Sequence, residues 1–272
     1  MTGRSRVIAV PALLVLLIAM AGPWIPVDST TVPIGGPFEA PAGAHPLGTD
    51  VLGRDVLPRV LVGGRVLVTQ AAAATLLGSL IGLALGVWLG VTHRRTAGRV
   101  LMRMVDGLAA LPALLLILLL ATGVPGNDAA VAAAIALVTV PFSVRIIREC
   151  TARLAATDYA RHAEARGERT LTRVRYDILP GLVPVAMAEA GIRFVAATQL
   201  AATAGFLGLG AGAPVANWGR MVRENGTGIA MNPLPVIVPA ALLILLAVGV
   251  TILLDRASES TRLAPERIER TA

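Results

Sequence analysis

Long uncharged apolar runs alternate with shorter polar segments along the chain. An apolar run of about 18 or more residues is long enough to cross the hydrocarbon core of a bilayer as a helix. The alternation therefore predicts an all-α, polytopic membrane protein with a single transmembrane domain over residues 1–272. Six spans are predicted, at about residues 7–25, 66–91, 104–124, 129–147, 181–204 and 234–254.

The first two spans carry additional signals. Arg4 and Arg6 precede the first run, as basic residues precede a signal peptide, but no small-residue cleavage site follows directly. An uncleaved helix is therefore the favoured interpretation. The second span repeats glycine every four residues, which lays small residues along one face and lets a neighbouring helix approach closely. These glycines are Gly78, Gly82, Gly86 and Gly90.

The arginines indicate which side of the membrane each loop occupies. With the N-terminus inside, 18 of the 24 arginines fall in cytoplasmic segments and five fall in outer segments. Cytoplasmic loops of membrane proteins are enriched in positive charge. Six spans place both termini on one side, so the distribution predicts that both are cytoplasmic. The net charge of +7 then belongs to these loops and does not indicate a nucleic-acid partner.

The residue types that are missing exclude several chemistries. The chain contains no lysine, so it has neither a standard P-loop nor a Schiff-base site for pyridoxal phosphate. Any energy from ATP would have to come through a partner. Cys150 is the only cysteine, and the three histidines, at positions 45, 93 and 162, lie far apart. We therefore predict no metal site and no cofactor in this chain.

The polar segment between the fourth and fifth spans, about residues 148–180, is rich in alanine, glutamate and arginine and is broken by Gly167. This composition predicts a short helix, a turn at the glycine and a second helix. Pro180 suits the first turn of the next span, where its missing N–H costs little. On the pattern alone, an ordinary basic cytoplasmic loop is the simpler interpretation.

Two further motifs lie in predicted outer loops. The first, residues 45–57, has glycine turn points and leads into an apolar face that predicts a short helix at the outer interface, interrupted by Pro58. The second, residues 205–219, has glycines that allow tight turns and a tryptophan suited to the interface. The acidic residues and histidine of the first motif could be metal ligands, but loop packing is favoured. The residues singled out are His45, Gly48, Asp50, Gly53, Asp55, Gly208, Gly210 and Trp218.

With these three motifs in this order, the sequence resembles the permease subunits of binding-protein-dependent ABC importers, of the second-subunit type in the dipeptide, oligopeptide and nickel group. In that family the cytoplasmic loop carries a glycine and an Ile-Leu-Pro at fixed spacing. The resemblance implies that this loop contains a coupling helix that docks on an ATPase subunit. The corresponding residues are Tyr159, Arg161, Ala163, Glu164, Gly167, Ile178, Leu179 and Pro180.

Two departures from the family pattern concern charged residues. The family's glutamate falls on Arg161 and a frequent arginine falls on Glu164, so the two signs are exchanged within one helical turn, where the side chains can still pair. An acidic residue that is frequent in the fifth span falls on Ala201. The first departure predicts a rewired polar contact with the ATPase.

The resemblance implies a subunit of an ATP-driven importer in the bacterial cell membrane, one that forms half of a solute pathway for peptides and is not an enzyme. The expected partners are a homologous permease subunit in a heterodimer, two ATPase subunits that hold ATP and Mg, an extracytoplasmic substrate-binding protein and membrane lipid. Nickel or a metal chelate is the alternative solute. The sequence of this subunit does not decide between them, because selectivity in this group rests largely with the binding protein.

Glu189 and Arg193 lie four residues apart in the fifth span. Charges at membrane depth are costly and usually face a bundle interior or a wet cavity. The two residues could line the pathway, form a structural ion pair or reach towards an interface. A secondary transporter driven by an ion gradient is the alternative from another class. It would need more ionisable residues near the midplane and often has inverted repeats, and no repeat is evident here.

Overall fold

The computed structural model describes residues 15, 17–20, 24, 28–92, 95–212 and 214–269. Most of the predicted first span, about residues 7–25, lies outside these ranges. The described helices are α1 Asp28–Thr31, α2 Val56–Val91, α3 Arg95–Ala110, α4 Ala113–Thr122, α5 Asp128–Ala155, α6 Asp158–Ala165, α7 Thr170–Arg173, α8 Leu179–Phe206, α9 Trp218–Asn225 and α10 Leu234–Glu269.

Long apolar helices confirm the all-α, polytopic fold class. Within the described ranges, four helices are long and apolar enough to cross a membrane, and α3 with α4 adds a fifth if this bent pair counts as one span. By internal contacts the chain divides into two compact units. Of the described residues, the first unit comprises those within 15–71, 120–132 and 198–269, and the second comprises those within 72–119 and 133–197.

Helix α2 begins ten residues before the predicted start of the second span. The prediction of a separate interfacial helix is wrong, because Val56 and Val60 are buried in the first turns of α2 itself. Pro58 does not interrupt the helix, since an N–H in the first turn has no intrahelical partner to lose. Asp55 caps the helix by accepting a hydrogen bond from the N–H of Leu57 at 3.0 Å.

The third predicted span, about residues 104–124, is not one straight helix. Its two parts, Thr96–Ala110 and Ala113–Thr122, meet at an angle of 91°. Pro112 explains the break, because proline donates no backbone hydrogen bond and disfavours the helical conformation of the residue before it, Leu111. The prediction of a single span is therefore wrong about its shape.

The fifth predicted span also begins earlier than expected. A helix runs without a break from Thr170 to Phe206, with a π-helical turn at Val174–Ile178 inside it. Pro180 follows this turn after one residue, Leu179, and lies inside the continuous helix, so it does not lie in the first turn of the span as predicted. A proline in a helix clashes with the carbonyl four residues before it, and the wider π turn gives that carbonyl room to move aside.

Within the second unit, α2 and α5 pack together through the glycine repeat. A Cβ atom on any of the four glycines would overlap a residue of α5. The pairs are Gly78 with Thr139, Gly82 with Ser143, Gly86 with Ile147 and Gly90 with Thr151. The residue numbers of each pair differ by 61 throughout, so the two helices run parallel. The prediction that these glycines permit a close helix approach is confirmed.

Candidate functional site

We name residues 158–180 the coupling segment. Its first helix, α6, ends in a Schellman motif, in which the N–H of Glu168 donates to the carbonyl of Ala163 at 3.2 Å and that of Gly167 donates to Glu164 at 2.9 Å. Gly167 has φ 75°, in the left-handed region that favours glycine. The predicted short helix, glycine turn and second helix are therefore confirmed as local structure.

The coupling segment has one buried face and one exposed face. Ala160 and Ala163 are completely buried, whereas Tyr159 is 65% exposed. In the helix that follows the glycine turn, Leu171 and Tyr176 are also largely exposed. Exposed large apolar side chains are typical of a protein docking site.

Charged pairs hold the two parts of the coupling segment together. Nη2 of Arg173 donates to Oε2 of Glu164 at 2.8 Å, and the Arg173 side chain is only 9% exposed. Arg166 donates to Glu168 at 2.6 Å beside the glycine turn, and this hydrogen bond raises the pKa of Arg166. Arg161 lies exposed on α6. Glu164 therefore pairs with Arg173, nine residues further along the chain. The sequence pattern had indicated only Arg161 as a residue with which Glu164 can pair.

The three residues of the Ile-Leu-Pro motif lie where the π turn passes into α8. Ile178 is 1% exposed and fixes this end of the coupling segment inside the unit. Leu179 and Pro180 are the first two residues of α8. The second helix of the coupling segment is therefore continuous with the span that follows it.

Glu189 and Arg193 form a buried ion pair on α8. Nε of Arg193 lies 2.7 Å from Oε1 of Glu189, and their side chains are 15% and 3% exposed. The hydroxyl of Ser143 donates to the Glu189 carboxylate at 3.0 Å, and the Arg193 guanidinium lies over the ring of Phe142, 5.2 Å from its centroid. The structure brings the two predicted residues together and adds two from α5 that no sequence signal linked to them.

A small cleft lies beside this ion pair, between α2 and α8. Its volume is about 170 Å³, and its lining is mainly apolar, with Thr75, Ser79 and Glu189 as the polar contributors. The Ser79 hydroxyl has no hydrogen-bond partner among the described residues. Pockets that enclose a small molecule usually measure about 300–1,000 Å³. This cleft is too small to enclose a peptide.

In the first unit, the predicted outer loop before α2 folds into tight turns. Gly48 and Gly53 have φ values of 69° and 72°, and a Cβ atom on either would overlap a backbone oxygen. Nδ1 of His45 lies 2.8 Å from Oδ2 of Asp55, the residue that caps α2. These contacts pack the loop against itself, which is the role favoured from the sequence.

Asp50 lies at the centre of a buried charge cluster in the same loop. It is 1% exposed. Its Oδ2 lies 2.8 Å from Nη2 of Arg54 and 3.1 Å from Nε of Arg59. The Arg59 guanidinium also donates to the carbonyl of Thr30 at 3.0 Å. The two arginines were counted from the sequence only as charges of an outer loop, so this cluster was missed.

The glycines of the second outer motif shape the loop after α8. Gly208 ends α8 in a second Schellman motif and has φ 82°. Gly210 has φ 83°, and a Cβ atom there would overlap Asp128. Oδ1 of Asp128 accepts hydrogen bonds from Nε2 of Gln70 and from the N–H of Ala211, both at 2.9 Å. The loop is thereby tied to the start of α5.

Trp218 is not the interfacial anchor that the sequence predicts. It is completely buried, and its indole N–H donates to the carbonyl of Val60 at 2.6 Å. Gly63 and Gly64 provide the space, since a Cβ atom on either would overlap the indole ring. In the same helix, α9, burial lowers the pKa of Arg220.

Residues 82–262 match the family described as the inner membrane component of binding-protein-dependent transport systems. The chain belongs to this family. The matched residues include the coupling segment, the Glu189–Arg193 pair and the loop around Gly208 and Gly210. The resemblance stated from the motifs is confirmed, and the chain is a permease subunit of an ABC importer.

The permease is similar in sequence, over most of its length, to permeases of known transport systems. It is 31% identical over 242 residues to the probable D,D-dipeptide transport system permease protein DdpC of Escherichia coli, which covers 89% of this chain and 81% of that protein. It is 32% identical over 217 residues to the glutathione transport system permease protein GsiD of Pectobacterium atrosepticum, with coverages of 80% and 72%.

A solved structure shares the fold of the permease. A chain of the inward-facing MetNI methionine ABC transporter superposes with a TM-score of 0.63 at 20% identity, over 75% of this chain and 97% of that one. Together with the family match, this places the permease as a multi-pass protein of the bacterial inner membrane. Such permeases work with ATPase and substrate-binding subunits.

Proposed function

We propose that this permease forms half of the transmembrane pathway of an ATP-driven peptide importer. The other half is a homologous permease in a heterodimer, and two ATPase subunits hold ATP and Mg on the cytoplasmic side. An extracytoplasmic binding protein delivers the solute. The names of the similar permeases support peptides as the solute.

The main support for this proposal is the exposed face of the coupling segment. Tyr159, Leu171 and Tyr176 offer apolar area, and Arg161 adds a positive charge that complements an acidic site on a partner. Docking of this face on an ATPase would bury the apolar side chains. Closure of the ATPases would then move α6, and the continuous helix from Thr170 to Phe206 would tilt with it.

The proposed orientation has both termini in the cytoplasm, as the arginine distribution favours. This places the coupling segment on the same side as the ATPases. It also places the turn at Gly126 and the loops around His45 and Gly208 outside, where a binding protein approaches.

The experiment that tests the proposal combines purification with transport. Affinity purification of the full-length permease should recover a second permease and an ATPase. Proteoliposomes made from this complex should take up a labelled dipeptide or tripeptide only when ATP and the binding protein are supplied. Uptake driven by an ion gradient without ATP would favour a secondary transporter. ATP-driven uptake of a nickel chelate but of no peptide would replace the proposed solute.

Replacement of Gly167 by valine should uncouple ATP hydrolysis from transport, while the permease still inserts into the membrane. The left-handed conformation costs a residue with a Cβ about 1–2 kcal/mol, so the turn after α6 should rearrange and displace the docking face. Gly167→Asn should keep more coupling, because asparagine tolerates this conformation better. The readout is peptide-stimulated ATP hydrolysis in proteoliposomes.

Gly126→Val is the matched control for this substitution. Gly126 has φ 76°, and like Gly167 it has no atom within 4 Å of a Cβ built on it. The backbone strain is therefore equal, but the turn lies between α4 and α5. Equal loss of coupling in both valine variants would show that strain itself, and not the position beside α6, is responsible.

A further inference from the structure

Two buried groups of opposite charge flank the π turn at Val174–Ile178. Arg173 is 8% exposed, and its Nε is buried without a hydrogen-bond partner among the described residues. Oδ2 of Asp177 is also buried and also lacks a partner among them. Buried polar atoms are nearly always hydrogen-bonded, so each unpaired one calls for a physical explanation. Here one is a guanidinium donor and the other a carboxylate acceptor, which pair strongly when they meet.

In a regular α-helix these two side chains would meet. Residues four apart lie on the same face of an α-helix, where an arginine and an aspartate can pair. In the π turn the N–H of Leu179 donates to the carbonyl of Val174, five residues before it, so residues four apart are no longer aligned. Arg173 instead donates through Nη2 to Oε2 of Glu164 in α6, at 2.8 Å.

Pro180 favours the π turn over an α-helical turn. In a regular α-helix its ring would clash with the carbonyl of Tyr176, four residues before it, and the π turn relieves this clash. The segment therefore has two opposing preferences, since the π turn suits the proline and an α-helical turn suits the Arg173–Asp177 pair. A partner that binds one of two such arrangements better shifts the segment towards it.

We propose that Arg173 and Asp177 are positioning residues, which pair when the π turn converts to an α-helical turn during the transport cycle. Arg173 then exchanges Glu164 for Asp177, and the helix before the π turn rotates about its axis relative to α8. The rotation displaces α6 and its exposed Tyr159, so movement of an ATPase bound there is transmitted to the span. The proposal rests on the ATPase coupling proposed above and adds which residues hold each state.

The variant Asp177→Asn tests the exchange, because it removes the charge and keeps the shape of the side chain. In the full complex without nucleotide, the midpoint of thermal unfolding should stay the same or rise, since the lost charge has no partner in this state. In the complex arrested with ATP and vanadate, the midpoint should fall below that of the parent. Glu164→Gln should lower the midpoint only without nucleotide, because its pair with Arg173 belongs to that state.

Peptide-stimulated ATP hydrolysis gives a readout that a purely structural role would not move. Asp177→Asn should lower kcat at least about fivefold, the lower end of typical coupling between two sites, and leave the KM for ATP unchanged. Asp177→Glu retains the charge and should restore most of kcat. Glu168→Gln is the matched control, because its partner Arg166 lies in the same segment but is 58% exposed. This control should change neither kcat nor the unfolding midpoint.

Spin labels detect the conversion of the π turn directly. Thr172 and Val183 are exposed and lie on either side of the turn, roughly 16 Å apart along a helix. In a background without Cys150, the distance between labels at these positions should differ between the nucleotide-free and the vanadate-arrested complex. Asp177→Asn should abolish this difference.

Labels at Leu77 and Trp88 are the control, because both are exposed and lie equally far apart on α2. Their distance should be the same in both states. An unchanged distance across the π turn, or equal destabilisation of both states by Asp177→Asn, would overturn the proposal and show that Asp177 has one fixed role. ATP-driven uptake by the parent complex would be unaffected by either result, so the importer function would stand. A parent complex without an ATPase would overturn both.

Discussion

Replacing Gly82 by alanine should lower the free energy of unfolding by about 1–3 kcal/mol, the usual cost of inserting a methyl group into a filled interface. In an exposed helix the same change normally stabilises, since alanine is about 1 kcal/mol better than glycine in a helix interior. At Gly82 the added Cβ would overlap Ser143, and α5 cannot move aside without breaking the neighbouring glycine contacts. The measurement is unfolding in mixed dodecyl maltoside and SDS.

Gly107→Ala is the matched control for this result. Gly107 is a helical residue of α3, is exposed, and has no atom within 4 Å of a Cβ built on it. This variant should be unchanged or more stable by up to about 1 kcal/mol. If Gly82→Ala were as stable as Gly107→Ala, α2 and α5 would not pack through the glycine repeat.

The glycine repeat could be predicted from the sequence because helical periodicity alone decides which residues share a face. The turn at Gly167 could be predicted for a similar reason, since a glycine at the end of a short helix most often adopts a left-handed conformation. Both features depend on neighbours in sequence. The partners across each interface, such as Ser143 opposite Gly82, were not predictable from one chain without the fold.

The errors have a common physical origin. Pro58, Pro112 and Pro180 look alike in the sequence, but each has a different effect: the first lies in an opening turn, the second breaks a helix and the third follows a π turn. The effect of each proline depends on whether a residue with an N–H at that position would have donated a backbone hydrogen bond. It also depends on whether the carbonyl four residues before the proline can move aside. The prediction for Trp218 was wrong because tryptophan is common at membrane interfaces, whereas here Gly63 and Gly64 leave space for the indole ring inside the protein.

The sequence left three roles open for Glu189 and Arg193, and the geometry narrows them. A residue that moves charge along a wet pathway has to meet water, but the Glu189 side chain is only 3% exposed. Its carboxylate is held by Ser143 as well as Arg193. These contacts indicate a structural ion pair that fastens α8 to α5, close to the polar edge of the cleft.

Removing one member of this pair should have the largest effect on stability. Arg193→Ala should lower the free energy of unfolding by about 3–5 kcal/mol, because it leaves the Glu189 carboxylate buried without its countercharge. The Glu149–Arg153 pair has the same spacing on α5 but side chains that are 65% and 76% exposed. Arg153→Ala should change stability by less than about 1 kcal/mol. Both variants are measured by the same SDS unfolding assay.

A double variant then separates a structural role from a role in the pathway. Glu189→Leu with Arg193→Met replaces the pair by apolar side chains of similar length, and such replacements of buried ion pairs are often neutral or stabilising. The double variant should therefore recover most of the stability lost in Arg193→Ala. If the pair only fastens α8 to α5, ATP-driven uptake should recover together with stability. A stable double variant that assembles with its ATPase but no longer transports would show that the charges themselves serve the solute, and the structural role would have to be abandoned.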